Sequence, residues 1–433
     1  MTALHARERV DAPGLSRLVH PTSTEDFADT IWGRRPHLAT ADDRGGDTFA
    51  DVFSLAAVDE LVADRGLRTP FLRVARDGST LPERAYTSGG GVGAGIADQV
   101  SEDRLLQLFD DGATLVLQGL HRTWAPVRDL SQSLAADLGH PVQANAYVTP
   151  PQNQGFADHY DVHDVFVLQV HGEKRWALRE PVLPDPLRDE PWADRRAAVE
   201  ERAGRPAYLE TTLRPGDCLY LPRGWIHSAR ALGGITAHLT LGVHAWTRHH
   251  LAEILLDRAR TRLGRTEPVR ASLPVGLDPT DPNSLTSDVE TVREALLDAI
   301  RGLPVAEVAE VLRGRSRASQ RPAALAPLAQ LAAAEQLDAG SVLRLREHLM
   351  LDVLPGVEAG ERVTLSSRAG RVTVPSAHLP AVERLRSGEP ASVAELAGAA
   401  GLRPAEALPL ARTLVRRGVA TVLPPVGETG GHG

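Results

Sequence analysis

The 433-residue chain holds a single cysteine, Cys218. That excludes an intramolecular disulfide and any cysteine-based zinc cluster. Cys218 lies in the apolar run "DCLYLP", which reads as a buried, inert thiol rather than a nucleophile. No stretch of about 18 consecutive apolar residues is present, so no membrane-spanning helix is expected. The first residues, "MTALHARERVDAPG", have no hydrophobic segment of the secretory kind. A cytoplasmic protein is the expectation. An excess of positive charge is also missing: the net charge is −8, which gives no general affinity for nucleic acid or acidic membranes. The glycine-rich "SGGGVGAG" of residues 88–95 is not followed by Gly-Lys-Ser/Thr, so it reads as a flexible loop and not a phosphate cradle.

Apolar residues at 42% and charged residues at 24% are ordinary for globular protein, and the length allows two or three domains. "STEDFADTIWGRRPHL" opens a mixed helical region of residues 23–70, with Ser23 or Thr24 as helix cap. From "GATLVLQGL" through "QANAYVTP", "LRPGDCLYLPRGWIH" and "ITAHLTLGVHAW", short β-rich runs broken by Pro and Gly suggest a sandwich or barrel. After Trp246 helical spacing takes over: Val289, Val292, Leu296 and Ile300 share one face. A proline-punctuated connector (265–283) precedes that helix, and a further helical stretch is expected over 323–350. From about residue 360 the order strand, helix, "SVAELAGAAGL", helix, strand reads as a winged helix-turn-helix.

The stretch "GFADHYDVHDVFVLQVHGEKRW" (155–176) crowds His159, Asp161, His163 and Asp164 at the mouth of an apolar strand. It is either a solvated turn or a metal site. Residues two apart on a strand share a face, so His159 and Asp161 can converge on one ion. His227, at the far end of the strand that starts at "PGD", supplies a third donor. Two histidines and a carboxylate on one side of iron leave three positions open, the arrangement used by non-haem Fe(II) oxygenases. His163 shares that face and could be a substrate contact, a group behind the ligands, or a structural histidine. His20, His37, His140, His249 and His250 read as structural, and His171, His238 and His244 as strand or turn histidines. Lys174, past an expected "HGE" turn, leads into an apolar strand and would be costly to bury unpaired. A dicarboxylate cosubstrate would satisfy it, one end on the metal and the other on the ammonium. Arg175 alternates to the opposite, solvated face.

"NAYVTPPQNQGFADHYDVHDVFVLQVHGEKRW", "LRPGDCLYLPRGWIHSA" and "HLTLG" together resemble the JmjC-type ribosomal oxygenases. These are cupin-fold, Fe(II)- and 2-oxoglutarate-dependent protein hydroxylases. "FADTIWGRRPHL" and "LFDDGATLVLQGL" fit the N-terminal part of that family, and the helical segment plus winged helix fits its C-terminal order. The resemblance implies His159, Asp161 and His227 as iron ligands. It implies Lys174 as partner of the distal carboxylate of 2-oxoglutarate, with Tyr147 as a hydroxyl partner. Asn145, two residues before Tyr147, is expected in the same pocket. Several family members have "HLTLS" or "HLTLT" where this chain has Gly242. A hydroxyl near the distal carboxylate is thus expected to be missing, replaced by water or by Thr240.

The fold class expected is mixed β and α. Residues 1–99 pack on a double-stranded β-helix (cupin/JmjC) core of 100–246, a helical dimerisation module covers 247–355, and a winged helix covers 356–433. The resemblance implies hydroxylation of an Arg or His side chain in a ribosomal protein, by a homodimer. A peptide natural product or a small molecule would call for the same metal set. A rival of another class is a non-catalytic cupin sensor coupled to a DNA-binding winged helix. Against it, residues 381–433 carry six arginines to five glutamates, too little excess charge for a DNA footprint.

Overall fold

The computed structural model describes residues 14–76, 78–151, 153, 157–355 and 362–424. Within it the chain divides into two compact units, Met1–Ala245 and Trp246–Gly433.

The first unit is built on an antiparallel sheet of nine strands among the described residues. In chain order they are β1 (His37–Ala39), β2 (Leu72–Arg76), β3 (Ser79–Thr80), β4 (Thr114–Leu117), β5 (Val142–Thr149), β6 (Asp164–Arg179), β7 (Leu209–Leu213), β8 (Cys218–Leu221) and β9 (Ile226–Val243). The order across the sheet is β1-β8-β6-β9-β5-β4-β2-β3, with β7 also paired to β6. Helices Glu102–Asp110 and Ala125–Leu138 belong to this unit, and the second of them was not anticipated from sequence. Ser23 is the cap expected at the first helical turn, its hydroxyl accepting the Asp26 N–H. This mixed fold with a large antiparallel sheet is consistent with a JmjC/cupin core.

Two strands are far longer than the sequence suggests. The expected turn at His171–Glu173 is absent, because β6 runs through it for 16 residues, and β9 joins two expected strands into 18. Instead of a turn there is a β-bulge: the β6–β9 register shifts between Leu232 and Ala237 and again at His238. Gly172 sits in this irregularity at φ +63°, where an added Cβ would lie 2.3 Å from the Ile235 carbonyl oxygen. Only glycine fits both the dihedral and that close approach.

The bulge changes which residues face inward. Before it, Phe166 and Leu168 enter the large core with Leu239, Leu241 and Ala146, while Val165 and Val167 face the other side. Beyond it, Trp176 and Leu178 take over the side that Val165 and Val167 occupied. Residues on the pocket side are odd-numbered before the bulge (Val165, Val167) and even-numbered after it (Lys174, Trp176). Both faces of β6 are buried, which is why "DVFVLQV" reads as a continuous apolar run rather than an alternation.

The second unit begins with helices Arg248–Leu263, Pro282–Arg301, Val305–Ser319 and Pro327–Gln336. The continuous helix expected over 323–350 is corrected here. The short helix ends at Gln336, and Val342–Leu345 is a strand pairing Ala391–Ser392 and Ala420–Val422. Its alternating burial, with Leu343 and Leu345 inward, is a strand pattern that the alanine-rich segment before it obscures. Asp352–Pro355, Arg362–Ser367 and Gly370–Pro375 form a second three-stranded sheet. Helices Leu379–Arg386, Val393–Ala399 and Pro404–Arg416 pack with these strands around Leu343, Leu385, Leu396, Leu410 and Leu414. Ser392 and Glu395 form a capping box at the second of these helices. Residues 1–13 of the N-terminal expectation, and 356–361 and 425–433 of the tail, lie outside the described residues.

Candidate metal centre and anion pocket

His159 and Asp161 precede β6, on a segment held in place by β9. The His159 N–H donates to the His227 carbonyl at 3.2 Å, and the His227 N–H returns a bond to His159 at 2.8 Å. Gly224, in the "PRGW" bend, donates its N–H to the Asp161 carbonyl at 3.0 Å. Three backbone bonds thus fix two stretches 63 to 68 residues apart side by side, independent of any metal. The His159 and His227 rings stand 4.4 Å apart, centroid to centroid. His227 Nε2 lies 3.6 Å from Asp161 Oδ2. One donor atom from each of His159, Asp161 and His227 falls within 4.8 Å of the others, close enough to meet on one ion.

Each imidazole is oriented from behind. His159 Nδ1 lies 2.8 Å from the Ala157 carbonyl and His227 Nδ1 lies 3.0 Å from that of Trp225. A carbonyl only accepts, so each Nδ1 carries the proton and each Nε2 presents its lone pair. Burial, with His159 nearby, pushes His227 down to about 4, against the pull of Asp161, so its ring is neutral near pH 7. Burial alone would raise the Asp161 carboxyl. His163, His227, His159 and Arg73 outweigh it and hold the group below its ordinary value, as a carboxylate. Two imidazole nitrogens and one carboxylate are the donor set the sequence suggested for non-haem iron.

Behind these three residues a pocket runs inward between the strands, lined by Thr114, Tyr147, Thr149, Lys174, Trp176, His238 and Thr240 among others. Lys174 is 3% exposed. Its ammonium donates to Thr149 Oγ1 at 3.2 Å and lies 3.5 Å from His238 Nδ1, with no carboxylate in reach among the described residues. Burial pushes the amine down to about 7. Burial, then the nearby charge of Lys174, keeps His238 neutral, able to accept from the ammonium. Thr149 accepts from Lys174 and, at 3.4 Å, from Thr114, so its own proton points elsewhere. Trp176 Nε1 is buried with no hydrogen-bond partner. A buried cation whose only partners are a hydroxyl and a neutral imidazole is a built site for an anion.

Of the four residues crowded before β6, only two face this pocket. His163 stacks on His244 with centroids 5.1 Å apart and planes 5° from parallel, and lies against Gly242. Asp164 is buried and accepts the Tyr220 hydroxyl at 2.9 Å. Gly242 is also not where the missing hydroxyl was expected: a Cβ there would lie 2.5 Å from the His163 ring, well along β9 from Thr236, which pairs Thr149. The glycine makes room for His163. Thr240 does line the pocket, as does Tyr147. Asn145 shares Tyr147's side of β5 and pairs with Thr240 on β9, but it is not among the lining residues, and its side-chain oxygen accepts the Gly119 N–H at 3.1 Å. Arg175 pairs with Glu210, and Arg179 with Asp158. Cys218 is buried, its thiol pushed up to about 12 by that burial.

Sequence reasoning missed Thr149, Trp176 and His238. Thr149 is two residues beyond Tyr147, and His238 is two before Thr240, so strand alternation from those two residues could have found both. Trp176 required knowledge of the bulge. His238 stacks on Tyr147 at 5.0 Å and 4°, clamping the phenol ring at the pocket wall.

The long antiparallel sheet carries a His–Asp–His group beside an internal pocket, and the JmjC domain family model matches residues 120–251. Over that stretch the chain carries a JmjC domain, and beyond it the chain is similar to ribosomal oxygenases. It is 28% identical over 298 residues to the bifunctional lysine-specific demethylase and histidyl-hydroxylase NO66 of Aedes aegypti, covering 66% of this chain and 44% of that protein. It is 27% identical over 352 residues to ribosomal oxygenase 2 of Bos taurus, covering 78% and 72% respectively. The chain thus spans about half the length of the mosquito relative and more of the bovine one. In fold it is similar to Escherichia coli YcfD, with a TM-score of 0.53 at 19% identity over 93% of this chain and 98% of that one. A YcfD structure in complex with cobalt and 2-oxoglutarate matches at 0.51 and 20% identity, over 93% and 99%.

Proposed function

We propose that the chain is an Fe(II)- and 2-oxoglutarate-dependent oxygenase that hydroxylates an Arg or His side chain of a ribosomal protein. His159 Nε2, the Asp161 carboxylate and His227 Nε2 hold the metal, and 2-oxoglutarate fills the pocket between it and Lys174. One observation carries this reading: a buried ammonium without a carboxylate partner shares a pocket with a two-histidine, one-carboxylate group. The unpartnered Trp176 indole N–H and the Thr149 hydroxyl fit the same anion. When bound, iron with 2-oxoglutarate supplies the activation of O2 that inserts one oxygen atom into an unreactive C–H bond, leaving succinate and CO2.

The protein's residues orient and enclose. Lys174, Thr149 and Tyr147 bind the far carboxylate, and Thr240 lies beside it on β9. Asn145 acts one step back, tying β5 to the backbone at Gly119. Val165, Val167 and Trp176 keep water from the pocket walls. Asp161 keeps 31% of its side chain exposed, so a substrate would reach a metal held there from this side. Trp192, 6.3 Å from the His159 ring, borders that side.

A basic polypeptide suits a chain of net charge −8, and the relatives named above include ribosomal oxygenases and a histidyl-hydroxylase. We assign residues 1–99 to elements packing on the catalytic domain of 100–246, the helices that follow, as far as Gln336, to a dimerisation module, and the remainder to a winged helix that docks substrate rather than nucleic acid; the boundary expected at 355 moves back because Val342–Leu345 and Asp352–Pro355 pair with strands beyond it. Val289, Val292 and Leu297 leave apolar surface exposed on the helix Pro282–Arg301, which supports a homodimer through that segment. Among the described residues no helix is long and apolar enough to cross a membrane, and a cytoplasmic location is the reading adopted.

The test is the intact mass of every ribosomal protein in strains with and without the gene. Deletion removes a single-oxygen addition from one of them, restored by the intact gene and not by Asp161→Ala. Identical spectra in the two strains would overturn the ribosomal substrate, leaving a peptide or small molecule for the same metal centre.

A further inference from the structure

Arg73 lies on β2, outside the stretch that matches the JmjC domain. The sheet register nonetheless aligns it with the pocket: Arg73 pairs with Val116, Val116 with Tyr147, and Tyr147 with His238. Directly paired residues on neighbouring strands point to the same face, and Tyr147 and His238 both line the pocket. Two strand spacings, about 10 Å, separate the Arg73 and Tyr147 backbones. An extended arginine and a tyrosine span that gap from opposite sides, and Arg73 hydrogen-bonds the Tyr147 hydroxyl. Its charge also reaches Asp161.

A guanidinium has five donors and no acceptor. Against Arg73 the Tyr147 oxygen can only accept, so the single phenolic proton must be donated in another direction. The Tyr147 ring cannot swing to compensate, because His238 is stacked flat on it. Lys174, across the pocket, is itself a donor and offers no acceptor for that proton.

We propose that Arg73 is a positioning residue of the anion pocket, holding the Tyr147 hydroxyl as an acceptor so that its proton is committed to the ligand carboxylate. This rests on the pocket being the 2-oxoglutarate site. Arg73 touches neither metal nor cosubstrate in this role and acts through Tyr147.

The test is a double-mutant cycle on the full chain, read as 2-oxoglutarate affinity by calorimetry with Mn(II) in place of iron, so that no turnover is needed. Arg73→Met weakens binding roughly tenfold, the scale of one hydrogen bond to a charged group. Tyr147→Phe does the same, and Arg73→Met adds nothing in the Tyr147→Phe background. Arg73→Lys, which restores a donor, recovers most of the loss, and Mn(II) affinity is the same throughout. An equal loss in both backgrounds, a parallel loss of Mn(II), or no loss at all would each overturn the role of Arg73. A wild-type chain that binds Mn(II) but no 2-oxoglutarate would overturn the pocket assignment itself, and the role of Arg73 with it. Should Arg73→Met not fold cooperatively, Arg73→Leu, which likewise has no donor, carries the same comparison.

Discussion

Replacing Lys174 by Met should move stability and binding in opposite directions. Methionine keeps the length and bulk of the side chain, so no cavity opens. In the ligand-free protein the ammonium is buried with a threonine hydroxyl and a neutral histidine as its neighbours. Unfolded, Lys174 titrates near 10.5; folded and empty, burial brings it to about 7. Between those values the unfolded chain holds the proton that the folded chain has lost, so stability rises with pH across that window. Below pH 7 the full cost is present, on the order of 5 kcal/mol for a shift of this size. Lys174→Met removes that cost, and the ligand-free variant should resist urea better than wild type at pH 6.5. With 2-oxoglutarate the sign reverses. The variant leaves a buried carboxylate unpaired, a loss of roughly 3–5 kcal/mol, or about two to three and a half decades in affinity. Calorimetry on the Mn(II)-loaded protein reads this directly, and metal affinity should be unchanged. In wild type the bound carboxylate draws the proton back onto the amine, so affinity falls as pH rises above 7, and this dependence vanishes in the variant. A Lys174→Met protein that is less stable when empty and binds 2-oxoglutarate as well as wild type would refute the reasoning. Arg175 and Arg179, already paired with Glu210 and Asp158, are not substitutes.

Three further outcomes are expected. Purified without oxygen, the chain binds about one Fe(II), and either His159→Ala or Asp161→Ala lowers metal affinity by roughly 10- to 100-fold or more; His163→Ala keeps the metal, since its ring is stacked on His244, and metal loss equal to that of His159→Ala would show the wrong histidine assigned. Gly242→Ser drives a Cβ to 2.5 Å from the His163 ring, so it should destabilise by about 1–3 kcal/mol in denaturant without tightening 2-oxoglutarate; tighter binding would return Gly242 to the cosubstrate. Light scattering should give twice 46.5 kDa, and Val292→Glu, on the exposed apolar face of its helix, should yield monomer; a wild-type monomer at micromolar concentration removes the dimerisation role.

The pocket and the fold share one cause. Thr149, Thr240 and Tyr147 reach it by strand alternation, but Lys174 and Trp176 reach it because the sheet breaks alternation once. That break sits where the β6–β9 register shifts, and a bulge of this kind bends the strand it interrupts. A functional pocket at such a break is a consequence of wrapping a sheet around a ligand-sized space.

By itself the sequence determined which chemistry was available. One cysteine ruled out a disulfide and a cysteine-based zinc cluster, "HYDVHD" with "RGWIH" supplied a two-histidine, one-carboxylate set, and Lys174 in an apolar context called for an anion. These are readable because they depend on residue type and short spacing, which the chain carries locally. Helix Arg248–Leu263 and the capped turn at Ser23 were legible for the same reason. Only the tertiary structure decided which neighbours are neighbours. His163 sits two residues from Asp161 yet is taken up by His244 and the space over Gly242, while Asp164 is taken up by Tyr220. His238 and Arg73 enter the site through cross-strand register, a relation between distant segments that no local spacing encodes. The bulge at Gly172 shifts every later side chain of β6 to the opposite face. A one-residue slip reverses a strand, and whether a glycine makes a turn or a bulge is settled by the strand it packs against.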